Sequence, residues 1–147
     1  MNKNVLVLGA GGREHAFCWA FANDNNVANL YCAPGNGGTS QVAENINLNL
    51  SNQQEVVRIV KKKNIDLTVV GPENPLAEGI VDIFKAEGLR IFGPDAYGSQ
   101  LESSKLFARD LMVENNIPHP DYYSCNTRDE AESLKTILGL PLVLKAD

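Results

Sequence analysis

Four consecutive apolar residues, Val5-Leu6-Val7-Leu8, run directly into Gly9-Ala10-Gly11-Gly12, and a helix-forming stretch follows at residues 13–22. A short unbroken apolar run closed by glycine marks a strand buried on both faces, as in a parallel sheet. The same cadence recurs along the first two thirds of the chain. Asn29-Leu30-Tyr31-Cys32 stops at Ala33-Pro34-Gly35-Asn36-Gly37-Gly38, and a short third strand is expected at residues 46–48. Residues 66–70 stop at Gly71-Pro72, and Leu89-Arg90-Ile91-Phe92 stops at Gly93-Pro94. Strands that alternate with helices predict an α/β fold with helices on both faces of a mostly parallel five-stranded sheet.

The intervening helices carry their own signals. Residues 13–22 are apolar nearly all round (Ala16, Phe17, Cys18, Trp19, Ala20, Phe21), which predicts a well-buried helix. Ser51 and Gln54 form a capping box that opens a helix to about residue 63, with Val56, Val57 and Val60 on one face. Asn74 and Pro75 suit a helix start and Gly88 its stop, with Leu76, Ile80, Val81 and Phe84 as the buried stripe.

After Gly93 the pattern changes. Residues 95–103 read as a connector, and a helix is expected at 104–114 with Phe107, Ala108, Leu111 and Met112 facing inward. Pro118-His119-Pro120 forbids helix, and a strand is expected at 121–124. Thr127 with Glu130 caps a further helix, whose Ala131, Leu134 and Leu138 face inward up to Gly139. A last strand is expected at 142–145. With nothing after it to cover its edge, either residues 105–147 pack back on the first unit or the sequence is a piece of something longer.

Composition narrows the class. The 147 residues suffice for one domain and the start of another. A net charge of −5 argues against general nucleic-acid or acidic-membrane binding. No apolar run approaches the roughly 20 residues a bilayer needs, and the start lacks a signal-peptide pattern, so a soluble, cytoplasmic protein is expected. Cys18, Cys32 and Cys125 are too scattered for a disulfide framework or a metal site, and Cys18 and Cys32 are read as packing residues. His15 and His119 add no metal pattern, and His15 is read as a packing or capping side chain.

Three Gly- or Pro-rich loops follow strands and should gather at one rim, where doubly wound sheets bind ligands. In Gly9-Ala10-Gly11-Gly12-Arg13-Glu14, backbone amides and a helix N-terminus suit an anion, and Arg13 can add a charge-assisted bond to phosphate. Position 14 lacks the third glycine of the dinucleotide fingerprint, and the second strand lacks the acid that holds an adenosine ribose. A phosphate monoester therefore fits better than NAD, while a plain tight turn stays open. Glu73 can accept from ribose hydroxyls or an amine, or simply stabilise a helix dipole. Lys105 at a helix start is unfavourable for the dipole, which suggests another duty, and Lys145 can serve phosphate or snorkel to water.

Taken together, the segments from Val5 to Ala16, Ala33-Pro34-Gly35-Asn36-Gly37-Gly38-Thr39, Asp66 to Leu76, Arg90 to Pro94, Leu101 to Asp110 and Val143-Leu144-Lys145-Ala146-Asp147 resemble the glycinamide ribonucleotide synthetase (phosphoribosylamine–glycine ligase) family of the ATP-grasp superfamily. The likeness runs in family order over essentially the whole chain. It implies a Rossmann-like pre-ATP-grasp, substrate-binding domain over residues 1–103 and the beginning of an ATP-grasp domain over 104–147.

The activity it implies joins glycine and 5-phosphoribosylamine at the expense of ATP, through a glycyl phosphate, in purine synthesis. Gly11, Gly12, Arg13, Glu14, Asn36, Glu73, Pro75 and Leu76 would hold phosphoribosylamine, and Lys105 and Lys145 would lie along the ATP phosphates. The family's Mg²⁺ (or Mn²⁺) ligands and glycine-rich ATP loop come later than residue 147, so the resemblance implies a fragment of a monomeric enzyme, without catalytic residues and inactive alone. The partners implied are small molecules only. The alternatives are a non-catalytic sugar-phosphate or nucleotide-binding module and a related ATP-grasp carboxylase or formyltransferase subunit. The latter would carry a Gly-Glu-Gly-Glu-like segment where Gly71-Pro72-Glu73-Asn74-Pro75 stands.

Overall fold

The computed structural model describes residues 2–146. Asp147, the last residue of the family-like segments, lies outside the described residues, as does Met1. The described chain divides into two compact units, one ending at Ser99 and the other beginning at Gln100.

The first unit opens with β1 (Lys3–Gly9), α1 (Gly12–Ala22) and β2 (Val27–Pro34), then a 3₁₀ turn at Thr39–Gln41 and β3 (Glu44–Asn45). It continues with α2 (Gln53–Lys62), β4 (Leu67–Val70), α3 (Glu73–Ala77), α4 (Ile80–Ala86) and β5 (Ile91–Phe92). The strand order is β3-β2-β1-β4-β5 and every neighbouring pair is parallel. Leu6 stands opposite Tyr31 on one side and Thr68 on the other, while Gly9 stands opposite Pro34. Because β1 is central, the chain leaves it in one direction and returns beside it as β4. The topological switch point therefore falls between the ends of β1 and β4.

Alternation along β1 splits the core in two. Leu6 and Leu8 join Val56, Val57 and Val60 of α2, Val70, Leu76, and Ile80, Val81 and Phe84 of α4. Val7 faces the other side with Cys18 and Cys32, flanked by Phe17 and Phe21. Burying Phe84 and Leu6 completely contributes about 1.5–3 kcal/mol each.

Several local expectations shift. The cap of α2 is Asn52, whose side chain accepts from the Glu55 amide at 3.2 Å, one residue beyond the expected Ser51–Gln54 box. The third strand lies at Glu44–Asn45 rather than 46–48. The helix after β4 starts at Glu73 and breaks in two at Gly79, whose φ of 86° no continuous helix allows. The expected burial of α1 is corrected: only Glu14 and Cys18, one turn apart, are fully buried, and Trp19 is 62% exposed. A helix laid on one face of a sheet buries a stripe whatever its outer residues are.

The expected connector at 95–103 is instead a helix, α5 (Ala96–Ser103), within which the division between units falls. Asp95 supplies what the composition of the segment lacks. Its Oδ1 accepts from the Gly98 amide at 2.9 Å, and Asp82 Oδ2 accepts from the Ala96 amide at 2.9 Å.

Beyond α5 come α6 (Lys105–Glu114) and α7 (Arg128–Leu138). Ser104 caps α6 by accepting from the Phe107 amide, and Thr127 and Glu130 form the expected box on α7. Neither helix has a fully buried residue, although Phe107, Ala108, Leu111 and Met112 are half-buried as expected. The strands expected at 121–124 and 142–145 do not form; among the described residues these segments have no ladder partner, and a strand needs one. Among the described residues no helix is long and apolar enough to cross a membrane.

Candidate functional site

A cleft of about 470 Å³ opens at the carboxyl ends of the strands of the first unit. It is lined by Gly9, Ala10, Gly11, Arg13 and Glu14 after β1, by Pro34, by Pro72 and Glu73 after β4, and by Leu48, Asn49 and Leu50. Arg13 and Glu73, expected to share a hollow, do share one. The stretch 48–50 was not foreseen; it follows β3, so the rule that strand ends meet at one rim already pointed to it.

The glycines of the first loop serve two different ends. A Cβ on Gly12 would meet nothing within 4 Å, so the space above the first turn of α1 is open. There the amides of that turn face solvent and can meet an anion. Arg13, its side chain 59% exposed, lines the cleft. Gly9 and Gly11 are different, because a Cβ on either would collide with the Glu14 side chain. Glu14 is 4% exposed and turns back to accept from the Gly11 amide through Oε2 at 2.6 Å. It thus closes the first turn of α1 as a capping glutamate does.

Asn36 is a pin rather than an open donor. Its Nδ2 donates to the Ala10 and Gly11 carbonyls at 2.8 and 3.2 Å, and its Oδ1 accepts from the Gly38 and Thr39 amides. Thr39, fully buried, accepts from the Asn36 amide and donates to Asn45 Oδ1 at 2.8 Å. The loop after β2 is thereby locked to the loop after β1, which sequence alone did not reveal. His15 packs its ring against Gly38, where a Cβ would strike Nδ1.

On the far side of the cleft, Glu73 is the exposed first residue of α3, while Pro75 and Leu76 are buried and Leu76 belongs to the core. Lys105 is the first residue of α6 and Lys145 lies outside any helix or strand; both belong to the second unit. Cys18 and Cys32 are free and fully buried; their shared hydrogen bond and their burial push the Cys18 thiol up, which suits packing rather than nucleophilic chemistry. A second hollow of about 450 Å³ lies between the end of α1, β2 and residues 40–44, and includes none of the expected site residues.

Comparison with known proteins bears on this geometry. A family model described as phosphoribosylglycinamide synthetase, N domain, matches residues 3–102. Phosphoribosylamine–glycine ligases of Clostridium acetobutylicum and Neisseria meningitidis serogroup B are 46% and 47% identical to this chain over 143 residues. Those alignments cover 97% of this chain but 34% of each relative, so the chain spans about a third of the length of the curated relatives it matches. Among solved structures, the phosphoribosylamine–glycine ligase of Thermotoga maritima superposes with a TM-score of 0.66 at 27% identity, over 90% of this chain and 30% of that one. The glycinamide-RNase-transformylase T of Mycobacterium tuberculosis superposes at 0.74 over 95% of this chain and 40% of that one; at 14% identity it speaks for the fold alone. With its N-domain model matching well over half of the residues, this chain belongs to the phosphoribosylglycinamide synthetase family.

Proposed function

We propose that this chain is the substrate-holding N-terminal part of a phosphoribosylamine–glycine ligase. Residues 1–103 act as the pre-ATP-grasp domain, and 104–147 begin the ATP-grasp domain. In the proposed reaction the glycine carboxylate takes the terminal phosphoryl group of ATP. The amine of 5-phosphoribosylamine then displaces phosphate from that acyl phosphate, leaving glycinamide ribonucleotide, ADP and phosphate. The parent enzyme is a cytoplasmic monomer acting on small molecules.

The observation that carries this reading is the shared cleft, which sets one cation, Arg13, and open helix amides beside two carboxylates, Glu14 and Glu73. A ligand with a phosphate at one end and hydroxyls or an amine at the other matches that charge layout; a dinucleotide does not need it. Arg13 would bond the phosphate, with a net worth of about 1.5–3 kcal/mol. Glu73 would accept from the sugar hydroxyls or the amine. Pro75 and Leu76 would hold α3 in place through the core.

Lys105 and Lys145 suit ATP phosphates by charge alone, and Lys105 starts a helix. When bound, Mg²⁺ would offset charge on the transferred phosphoryl group. The described residues include no group of three or more His, Cys, Asp or Glu able to hold it, so they do not fit a metal site. This chain alone is expected to release ADP only at background.

Calorimetry with ribose 5-phosphate, ATP and NAD tests the assignment. Ribose 5-phosphate should bind, and Arg13→Ala should weaken it about tenfold or more without unfolding the chain. Binding of NAD alone, or an unchanged affinity in Arg13→Ala, overturns it.

A further inference from the structure

One stretch of this chain carries almost no charge. Between Glu14 and Glu44 the only charged residue is Asp24, where the chain's average of 21% would place about six in those 29 residues. Asp24 is itself occupied, accepting from the Asn26 amide at 2.8 Å and from Asn26 Nδ2 at 2.9 Å. The stretch folds into most of α1, all of β2 and the 3₁₀ turn, at the β3 end of the sheet.

That end has an open edge. β2 pairs with β1 from Val27 to Pro34, but on its other side β3 covers only Tyr31 and Cys32. Among the described residues no strand flanks Val27-Ala28-Asn29-Leu30 there. The hollow of about 450 Å³ takes that place, walled by Phe21, Ala22 and residues 40–44. The register against β1 skips Ala28, so its backbone has a ladder partner on neither side. Natural edges are blunted by charge, proline or very short strands. The opposite edge follows that rule, since β5 has two residues set between Arg90 and Gly93-Pro94. Residues 27–30 carry neither charge nor proline. Ala28 is exposed, and so are Ala16, Trp19 and Ala20, which share one row of α1.

An apolar outer row on a helix and a strand without a neighbour are two signs of one missing cover. The charge pattern says what supplies it. Two copies of a chain of net charge −5 repel over most of their surfaces. A two-fold axis lays a face against itself, so a charge near the axis meets its own kind. An uncharged face escapes that cost. Backbone amides with carbonyls, and asparagines such as Asn23, Asn25 and Asn26, donate and accept at once and so complement themselves.

We propose that this face is a docking surface for a second copy of this chain. The two β2 edges pair antiparallel about a two-fold axis near Asn29 and join the two sheets into one. The pairing belongs to this chain; the monomer proposed above is the longer parent enzyme. It is independent of the sugar-phosphate reading, because the hollow and the ligand cleft share no residue.

Sedimentation equilibrium from about 1 to 500 µM tests it. The mass should rise from 16.0 kDa towards twice that, with a Kd of about 10–100 µM, the weak range suited to a short edge. A single species of 16.0 kDa throughout overturns the proposal and leaves the face to another occupant, an extended peptide or a further domain. Raising NaCl from about 50 to 500 mM should tighten association about threefold, because salt screens the repulsion between acidic copies. Association that weakens with salt points to ion pairs and overturns an uncharged interface.

Ala28→Lys sets like charges on both sides of the axis. The Kd should rise about tenfold or more, while the melting temperature stays within about 2 °C of wild type. Unchanged association in this variant places the contact elsewhere and overturns the proposal. Hydrogen exchange on the wild type needs no variant: the amides of residues 27–30 should exchange about tenfold more slowly in the concentrated chain than in the dilute one. Equal rates at both concentrations overturn it as well.

Discussion

The two units of this chain handle apolar residues in opposite ways. In the first, a parallel sheet gives α2 and α4 a surface to cover, and Leu6, Val56, Ile80 and Phe84 lose essentially all exposure. In the second, α6 and α7 are well capped and amphipathic, yet Val113, Ile137, Val143 and Leu144 remain 50–79% exposed. Caps and periodicity therefore make helices without making a core, because most helix stability in a protein comes from tertiary packing. The first unit holds the cleft because only a packed sheet can fix three loops against one another.

That contrast can be broken by paired truncations. Phe84→Ala removes a fully buried ring and should cost about 3–5 kcal/mol of unfolding free energy. Leu134→Ala, at a half-buried site of α7, should cost well under half of that, since little area returns to water. Urea unfolding followed by Trp19 fluorescence and by helix circular dichroism measures both. Equal losses would mean that the second unit has a core of its own.

How far the sequence could be read follows the same line. The strands of the sheet were legible because a two-sided strand needs an unbroken apolar run, as at Val5-Leu6-Val7-Leu8. Its rim was legible because Gly9, Gly35, Gly71 and Pro72 punctuate those runs. The segments 121–124 and 142–145 carry similar signals and fail, since pairing belongs to a neighbour that local sequence does not name. Asn36 and Glu14 were picked out as ligand contacts, but their bonds to the Ala10 carbonyl and the Gly11 amide show a framework duty first. Such duties depend on which loops meet, and that is a property of strand order rather than of spacing. The Gly79 break was hidden because Leu76, Ile80 and Phe84 keep helical spacing across it.

A smaller effect sharpens the comparison inside the packed unit. Thr68 is fully buried on β4, on the face shared by Leu6 and Val70, and its Oγ1 has no hydrogen-bond partner among the described residues. Removing a buried hydroxyl that bonds to nothing should help, so Thr68→Val should raise stability by about 1 kcal/mol. A loss in urea unfolding would show that the hydroxyl has a partner after all.

The smallest effect is electrostatic and sits at the opposite end of the same sheet. Asp66, just before β4, accepts from the Asn4 amide at 2.8 Å and from Lys3 Nζ at 3.0 Å. The backbone bond first, and then the lysine, hold its carboxyl below the ordinary value of 3.8. Asp95, beside the Gly98 amide and Lys85, is lowered in the same way. A group with a lowered folded pKa stabilises the native state at pH above its unfolded value, and that contribution disappears as pH falls through the folded value. Stability should therefore be flat in these two groups from pH 7 to about 5 and decline below pH 4. Asp66→Asn should flatten part of the acid limb and leave the neutral region little changed, because the pair is solvent-exposed and partly screened. Both carboxylates belong to the first unit, so the decline should be read by the amides of β1 and β4 in hydrogen exchange at acid pH. An acid limb that Asp66→Asn leaves untouched would remove this strand-to-strand pin from the forces that hold the cleft-bearing sheet together.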